Sequence, residues 1–298
     1  LQRLQEIQIQ ELIRHFVVGT AVFNFLDDED IYNLTIGTGN TLRLECLDDS
    51  GGRVDIFGTL NMTGTKITTG VTSGNSTISF SGTGDRTNVI NNPSTALADL
   101  YRVSMLQSSD TITMPAVTVK RLICNGAGTT LLSGALAVTE SDGLTISAGT
   151  LSTGSDHALT VAGALANDGT LTLNGSTVNL GSTSTEAGDV TGAGTFNLDT
   201  STINYHTAGG ANFIPSTSAN FDTNTSTLNL IGLNGSNRAH NFTFASGNMH
   251  NITTSRGAGT DTHTDTLNGN CTITGDLTVG ANSNFSTGTR VFTVNGDV

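Results

Sequence analysis

One short phrase recurs along this chain from Gly58 onward. A Gly or Asn turn is followed by Thr-apolar-x-apolar, then by Gly or Asn again. Gly58-Thr-Leu-Asn-Met-Thr-Gly64, Gly143-Leu-Thr-Ile-Ser-Ala-Gly149, Gly194-Thr-Phe-Asn-Leu-Asp199 and Ser226-Thr-Leu-Asn-Leu-Ile231 are examples. Each core alternates apolar and polar residues over about four or five positions, the period of a strand with one buried face. Thr is β-branched and suits strands, while Gly and Asn accept the positive φ of tight turns. Units this short cannot bury an apolar face alone, so they must stack on one another. Spacing between the units varies, and no single period fits all of them.

Two architectures stack such units: a parallel β-solenoid and an antiparallel β-sandwich. The strands are very short, Trp is absent, aromatic residues are only 5%, and turns are dense without the regularity of a sandwich. These features predict an all-β parallel β-solenoid (β-helix) with a narrow aliphatic core, and leave sandwich repeats as the alternative. Residues 58–298 form the repetitive solenoid. Residues 1–57, where charge is denser, form an N-terminal cap or assembly segment.

That segment carries the one helical pattern. Leu1, Leu4, Ile9, Leu12, Ile13 and Phe16 fall on one broad face at 100° per residue, opposite Arg3, Gln10 and Arg14. A short amphipathic helix is predicted there. It would be marginal alone and must pack on something. The next stretch contains Val18, Val22, Phe23 and Phe25 and reads as a buried strand. Two roles follow: capping the open end of the solenoid, or building oligomers through Leu4, Ile9, Leu12, Ile13, Phe16, Val18, Val22, Phe23 and Phe25.

The stretches Gly169-Thr-Leu-Thr-Leu-Asn-Gly-Ser-Thr-Val-Asn-Leu-Gly181 and Asn270-Cys-Thr-Ile-Thr-Gly-Asp-Leu-Thr-Val-Gly280 resemble two kinds of repeat. One is that of parallel β-helix passenger domains in bacterial surface adhesins. The other is that of bacteriophage tail fibres. Phe292-Thr-Val-Asn-Gly-Asp-Val298 continues the style. The resemblance covers residues 58–298 and carries no catalytic residue across. It implies an elongated, homo-oligomeric or filamentous fibre protein outside a cell or on a virion, with host or surface glycans as a second partner class.

Charge and composition narrow the function classes. The formal net charge is −13, and the densest basic spot is Lys120-Arg121. A nucleic-acid partner is therefore not expected, because phosphate contacts need basic clusters. No run approaches the roughly 18 apolar residues of a membrane-spanning helix, so membrane insertion is not expected either. Cys46, Cys124 and Cys271 are far apart and form no metal or disulfide pattern, and read as small buried apolar residues.

An enzyme on such a scaffold would need paired carboxylates in a groove. The nearest acid pairs are Glu140/Asp142, Glu186/Asp189 and Asp261/Asp265. Glu140 and Asp142 alternate as an acid/base pair would, but a polar turn before Gly143 is the simpler reading. Asp261-Thr-His263-Thr-Asp265 has the alternation of a divalent-cation site, against an exposed polar turn leading to Leu267. Calcium in the acidic turn Asp27 to Asp30 is weaker still. Gly188-Asp-Val-Thr-Gly-Ala-Gly194 lacks the helix and Lys of a phosphate loop. Asn33, Asn61, Asn174, Asn241 and Asn251 open Asn-x-Ser/Thr triplets, most of which chance explains in this composition, and glycosylation stays open. Thr111-Ile-Thr113 and Thr272-Ile-Thr274 suggest an ice-binding array, yet no register across many rungs is predicted for them. The expectation is a non-enzymatic structural or adhesive protein with no cofactor. The alternatives are a β-helix polysaccharide lyase or hydrolase and a sugar- or ice-binding module.

Overall fold

The structure is a computed structural model. It describes residues 16–18, 22–25, 29–31, 33–36, 41–44, 53–62, 66–69, 77–85, 90–91, 102–141, 143–208, 212–213, 220–222, 224–233, 239–242, 248–257 and 262–298. Every sheet is parallel, and the described residues contain no helix. The fold is a parallel β-solenoid, not a sandwich. The helical pattern at the N-terminus lies outside the described residues.

Successive turns of the solenoid stack their strands on three sides. A first face stacks Glu29–Ile31, Arg53–Ile56, Thr77–Phe80, Arg102–Met105, Arg121–Cys124, Leu144–Ile146, Leu165–Asn167 and Val190–Thr191. A second face runs from Thr111–Met114 to Asn220–Asp222, and a third from Val117–Val119 to Leu277–Val279. Pairing begins early in the chain. Phe16–Val18 stacks on Leu34–Ile36, and Val22–Phe25 on Thr41–Leu44.

Period-2 alternation becomes a layered core because parallel register puts like residues over like. On the third face Leu159, Val178, Ile203, Leu228, Ile252 and Leu277 stack in register, all buried. On the first face Ile56, Phe80, Met105, Cys124 and Ile146 do the same. Each such side chain contributes about 1.5–3 kcal/mol on burial. The column then ends in Asn167, fully buried, whose Nδ2 donates to the Thr195 carbonyl at 2.9 Å.

Turn length is where the repeat degenerates. Residues paired between neighbouring rungs lie as few as 18 positions apart (Thr111 and Thr129) and as many as 30 (Leu60 and Ile90). One device holds these unequal turns together. A turn Asn or Asp carboxyl or amide oxygen accepts a backbone N–H from the next rung. Asn33 accepts from Thr59 at 2.9 Å, Asp85 from Thr111 at 2.8 Å, Asp168 from Ala193 at 2.9 Å and Asp276 from Asp297 at 2.9 Å. Such a bond supplies a partner for a backbone donor that no strand can satisfy.

Both cysteines among the described residues are buried and free. Burial pushes each thiol up to about 12, so both remain protonated and inert at neutral pH.

Candidate functional site

Within the third face three consecutive rungs share one local sentence. Asn174-Gly-Ser-Thr-Val-Asn-Leu180, Asp199-Thr-Ser-Thr-Ile-Asn-Tyr205 and Asn224-Thr-Ser-Thr-Leu-Asn-Leu230 align residue for residue. The opening Asn174, Asp199 and Asn224 adopt positive φ of 48°, 48° and 34°. Asn and Asp tolerate this left-handed region better than other side-chain-bearing residues. The following Ser176, Ser201 and Ser226 turn into the core and are fully buried. The strands then present Thr177, Thr202 and Thr227 outward, and beyond them Asn179, Asn204 and Asn229.

The outward asparagines form a chain of amides. Asn204 Nδ2 donates to Asn179 Oδ1 at 2.9 Å, and Asn229 Nδ2 to Asn204 Oδ1 at 2.8 Å. Both bonds span 25 residues, so this part of the chain does hold a fixed period. Beside the amides lies a shallow groove of about 430 Å³, lined by Thr160, Asn179, Ser182, Asn204, His206 and Ile231 among others. His206 is only 8% exposed, and its Nδ1 lies 3.3 Å from the Leu180 carbonyl.

A second groove, of about 550 Å³, follows the corner between the third and first faces. Thr139, Ser141, Thr185, Glu186 and Asp189 line it. The solenoid thus gathers one acid pair that is adjacent in sequence onto one groove wall. Both carboxylates are tied to the next rung. Glu186 Oε1 accepts from Ala208 N at 3.1 Å and Thr207 Oγ1 at 3.4 Å; Asp189 Oδ1 accepts from Asn212 N at 2.8 Å. Tyr205 lies buried beneath, its hydroxyl donating to Gly188 O at 3.4 Å. Burial, then the charges of Asp189 and Glu186, raises its ionisation well above the phenol range.

The remaining acid candidates separate. Glu140 lies 3.7 Å from Lys120 Nζ in a polar turn, and Asp142 is outside the described residues. The expected exposed turn around His263 is overturned. His263–Leu267 is a strand, and His263 and Asp265 point into the core with Leu267, at 1% and 0% exposure. His263 Nε2 lies 2.9 Å from Asp265 Oδ2. Their position two and four residues before Leu267 on one strand face was the available signal. Asp261, Asp27 and Asp28 lie outside the described residues, while Glu29 and Asp30 of the expected acidic turn belong instead to the strand Glu29–Ile31. Among the described residues no group of three His, Cys, Asp or Glu is placed to hold a metal ion.

Threonine register also differs from expectation. Thr111, Thr129, Thr150, Thr170 and Thr195 stand in one unbroken column on the second face. The parallel column two residues on is Thr113, Leu131, Ser152, Thr172 and Asn197. One regular column beside an irregular one is a strand-stabilising stack of β-branched residues rather than a two-column array.

Of the proposed assembly residues, Leu4, Ile9, Leu12 and Ile13 lie outside the described residues. Phe16 and Val18 belong to the strand paired with Leu34–Ile36; Val22, Phe23 and Phe25 belong to the strand paired with Thr41–Leu44. No described helix is long and apolar enough to cross a membrane.

Fold and surface together define a parallel β-solenoid with one amide-laddered face and one acidic corner groove. No protein-family model, curated protein or solved structure matches the chain.

Proposed function

We propose that this chain is a non-enzymatic structural or adhesive fibre element, working as a homo-oligomer or filament outside a cell or on a virion surface. The observation that supports this reading best is how the surface acids are used. Glu186 and Asp189 share a groove but each holds a backbone N–H of the next rung. The same use recurs at Asp85, Asp168 and Asp276, which do not line that groove. An acid occupied in joining rungs is poorly placed to shuttle protons to a substrate. Stacked rungs also give an extended shape at about 4.8 Å per turn, suited to a spacer or stalk. The net charge of −13 suits a soluble exterior protein.

Electron microscopy of the purified chain, together with its mass in solution, tests the reading. Rods, trimers or end-to-end filaments are expected. A compact, strictly monomeric particle overturns the fibre reading. So does cleavage of a polysaccharide that Glu186→Gln or Asp189→Asn abolishes while the fold survives. As rung caps these acids should instead behave structurally: Asp189→Ala lowers stability by about 1–2 kcal/mol in a urea titration.

A further inference from the structure

We infer that the groove beside the Asn179–Asn204–Asn229 amide chain is a binding site for a neutral glycan. The inference rests on the fibre reading in that it names what the fibre surface holds.

Hydrogen-bonding arithmetic comes first. A primary amide has two N–H donors and two acceptor lone pairs. Within the chain Asn204 spends one donor on Asn179 and one lone pair on Asn229. Its other donor and other lone pair remain, on an amide whose plane is fixed by both bonds. The same holds in part for Asn179 and Asn229, so donors and acceptors repeat at the rung spacing of about 4.8 Å. Their side chains are half-buried, not free in solvent. Sugar hydroxyls are both donors and acceptors, and fixed paired amides meet both needs with little ordering cost.

The groove supplies the rest of a site. Thr160 and Ser182 add hydroxyls, and His206 adds an imidazole that is more than nine-tenths buried yet lines the groove. With Nδ1–H donating to Leu180 O at 3.3 Å, Nε2 is the acceptor nitrogen. Ile231, in register with His206, gives an apolar patch for the C–H face of a sugar ring. The described lining holds no Asp, Glu, Lys or Arg, in contrast to the corner groove with Glu186 and Asp189. Charge therefore selects for an uncharged ligand.

The probes are cellohexaose, chitohexaose, mannan and dextran as neutral glycans, and polygalacturonate as an acidic one, each titrated calorimetrically into the full chain. At least one neutral glycan binds, and polygalacturonate does not. Ile231→Asp on the half-exposed wall and Asn204→Asp within the amide chain each weaken that binding at least ten-fold. Thr129→Ser on the second face leaves it unchanged. Circular dichroism and melting temperature establish that Ile231→Asp is folded, so its loss reports the groove. Failure of all four neutral glycans to bind, or binding that survives both groove substitutions, overturns the inference. Rods without glycan binding remove this inference and leave the fibre reading; glycan binding by a compact monomer does the reverse.

Discussion

Gly232 shows how closely one residue can be constrained by a rung it does not pair with. A Cβ at this position would lie 2.5 Å from His263 Nδ1 and 2.6 Å from its Cγ. The imidazole has little room to retreat, because the ring is buried and its other nitrogen already lies 2.9 Å from Asp265 Oδ2. Gly232→Ala therefore loses about 1–3 kcal/mol through overpacking. In a double-mutant cycle with His263→Ala the two losses are non-additive, since removing the ring removes the clash. Urea denaturation of the four proteins measures the coupling; strict additivity would mean that the ring and Gly232 do not meet. The two buried thiols make a second residue-scale prediction. In the unfolded chain they ionise near the ordinary 9.0, but in the folded chain only near 12. The unfolded state thus gives up protons first as pH rises. Stability that is complete below pH 9 falls as pH approaches 12, by at most about 4 kcal/mol per thiol. Tyr205 shifts in the same direction and adds to the fall. Melting temperature against pH should drop across this window, and less steeply for Cys124→Val.

At the scale of the element, the turn that opens each amide-bearing strand repeats the same backbone on three consecutive rungs. Asp199 has a positive φ of 48°, and its Oδ1 accepts from Asn224 Nδ2 at 3.2 Å. Asp199→Val places a β-branched residue in the left-handed region and costs about 1–2 kcal/mol. Asp199→Gly keeps the turn and loses only the partly exposed hydrogen bond, so its denaturation midpoint stays near that of the parent. Equal losses for Val and Gly would mean that the hydrogen bond, not the backbone, matters at this turn. Strands of this kind were legible because Thr-apolar-x-apolar alternates with period two. Their register was not, because it depends on turn lengths that range from 18 to 30 residues between paired rungs. The column from Thr111 to Thr195 is invisible without that register. So is the groove formed by Glu186 and Asp189 with Thr139 and Ser141, which belong to different rungs. His263 and Asp265 were obscured for another reason. Polar residues read as exposed by default, although Leu267 on the same side marks the strand face as internal.

Across the whole molecule, cooperativity depends on each turn touching only its neighbours, so stability is close to a sum over rungs and their interfaces. Among the described residues the first face is joined most thinly at one place. Val190 connects to Phe213, and Phe213 to Phe242, by isolated bridges rather than by a strand. Phe213 is 2% exposed and packs edge-on against Tyr205, with ring centroids 5.7 Å apart. Its side chain therefore also ties this thin point of the first face to the third. Phe213→Ala removes that contact and leaves a cavity, a loss of about 3–5 kcal/mol at a position that the described residues join only by isolated bridges. Leu171→Ala makes a loss of similar kind on the second face, but within a continuous strand ladder. If the rungs couple as nearest neighbours, Leu171→Ala shifts a single unfolding transition downward. Phe213→Ala instead splits it into two, one for the rungs before this point and one for those after. Differential scanning calorimetry with the ratio of calorimetric to van't Hoff enthalpy distinguishes the cases. A single shifted transition for both variants would mean that the third face, continuous through Thr202–Thr207, Thr227–Gly232 and Asn251–Arg256, couples the two halves by itself.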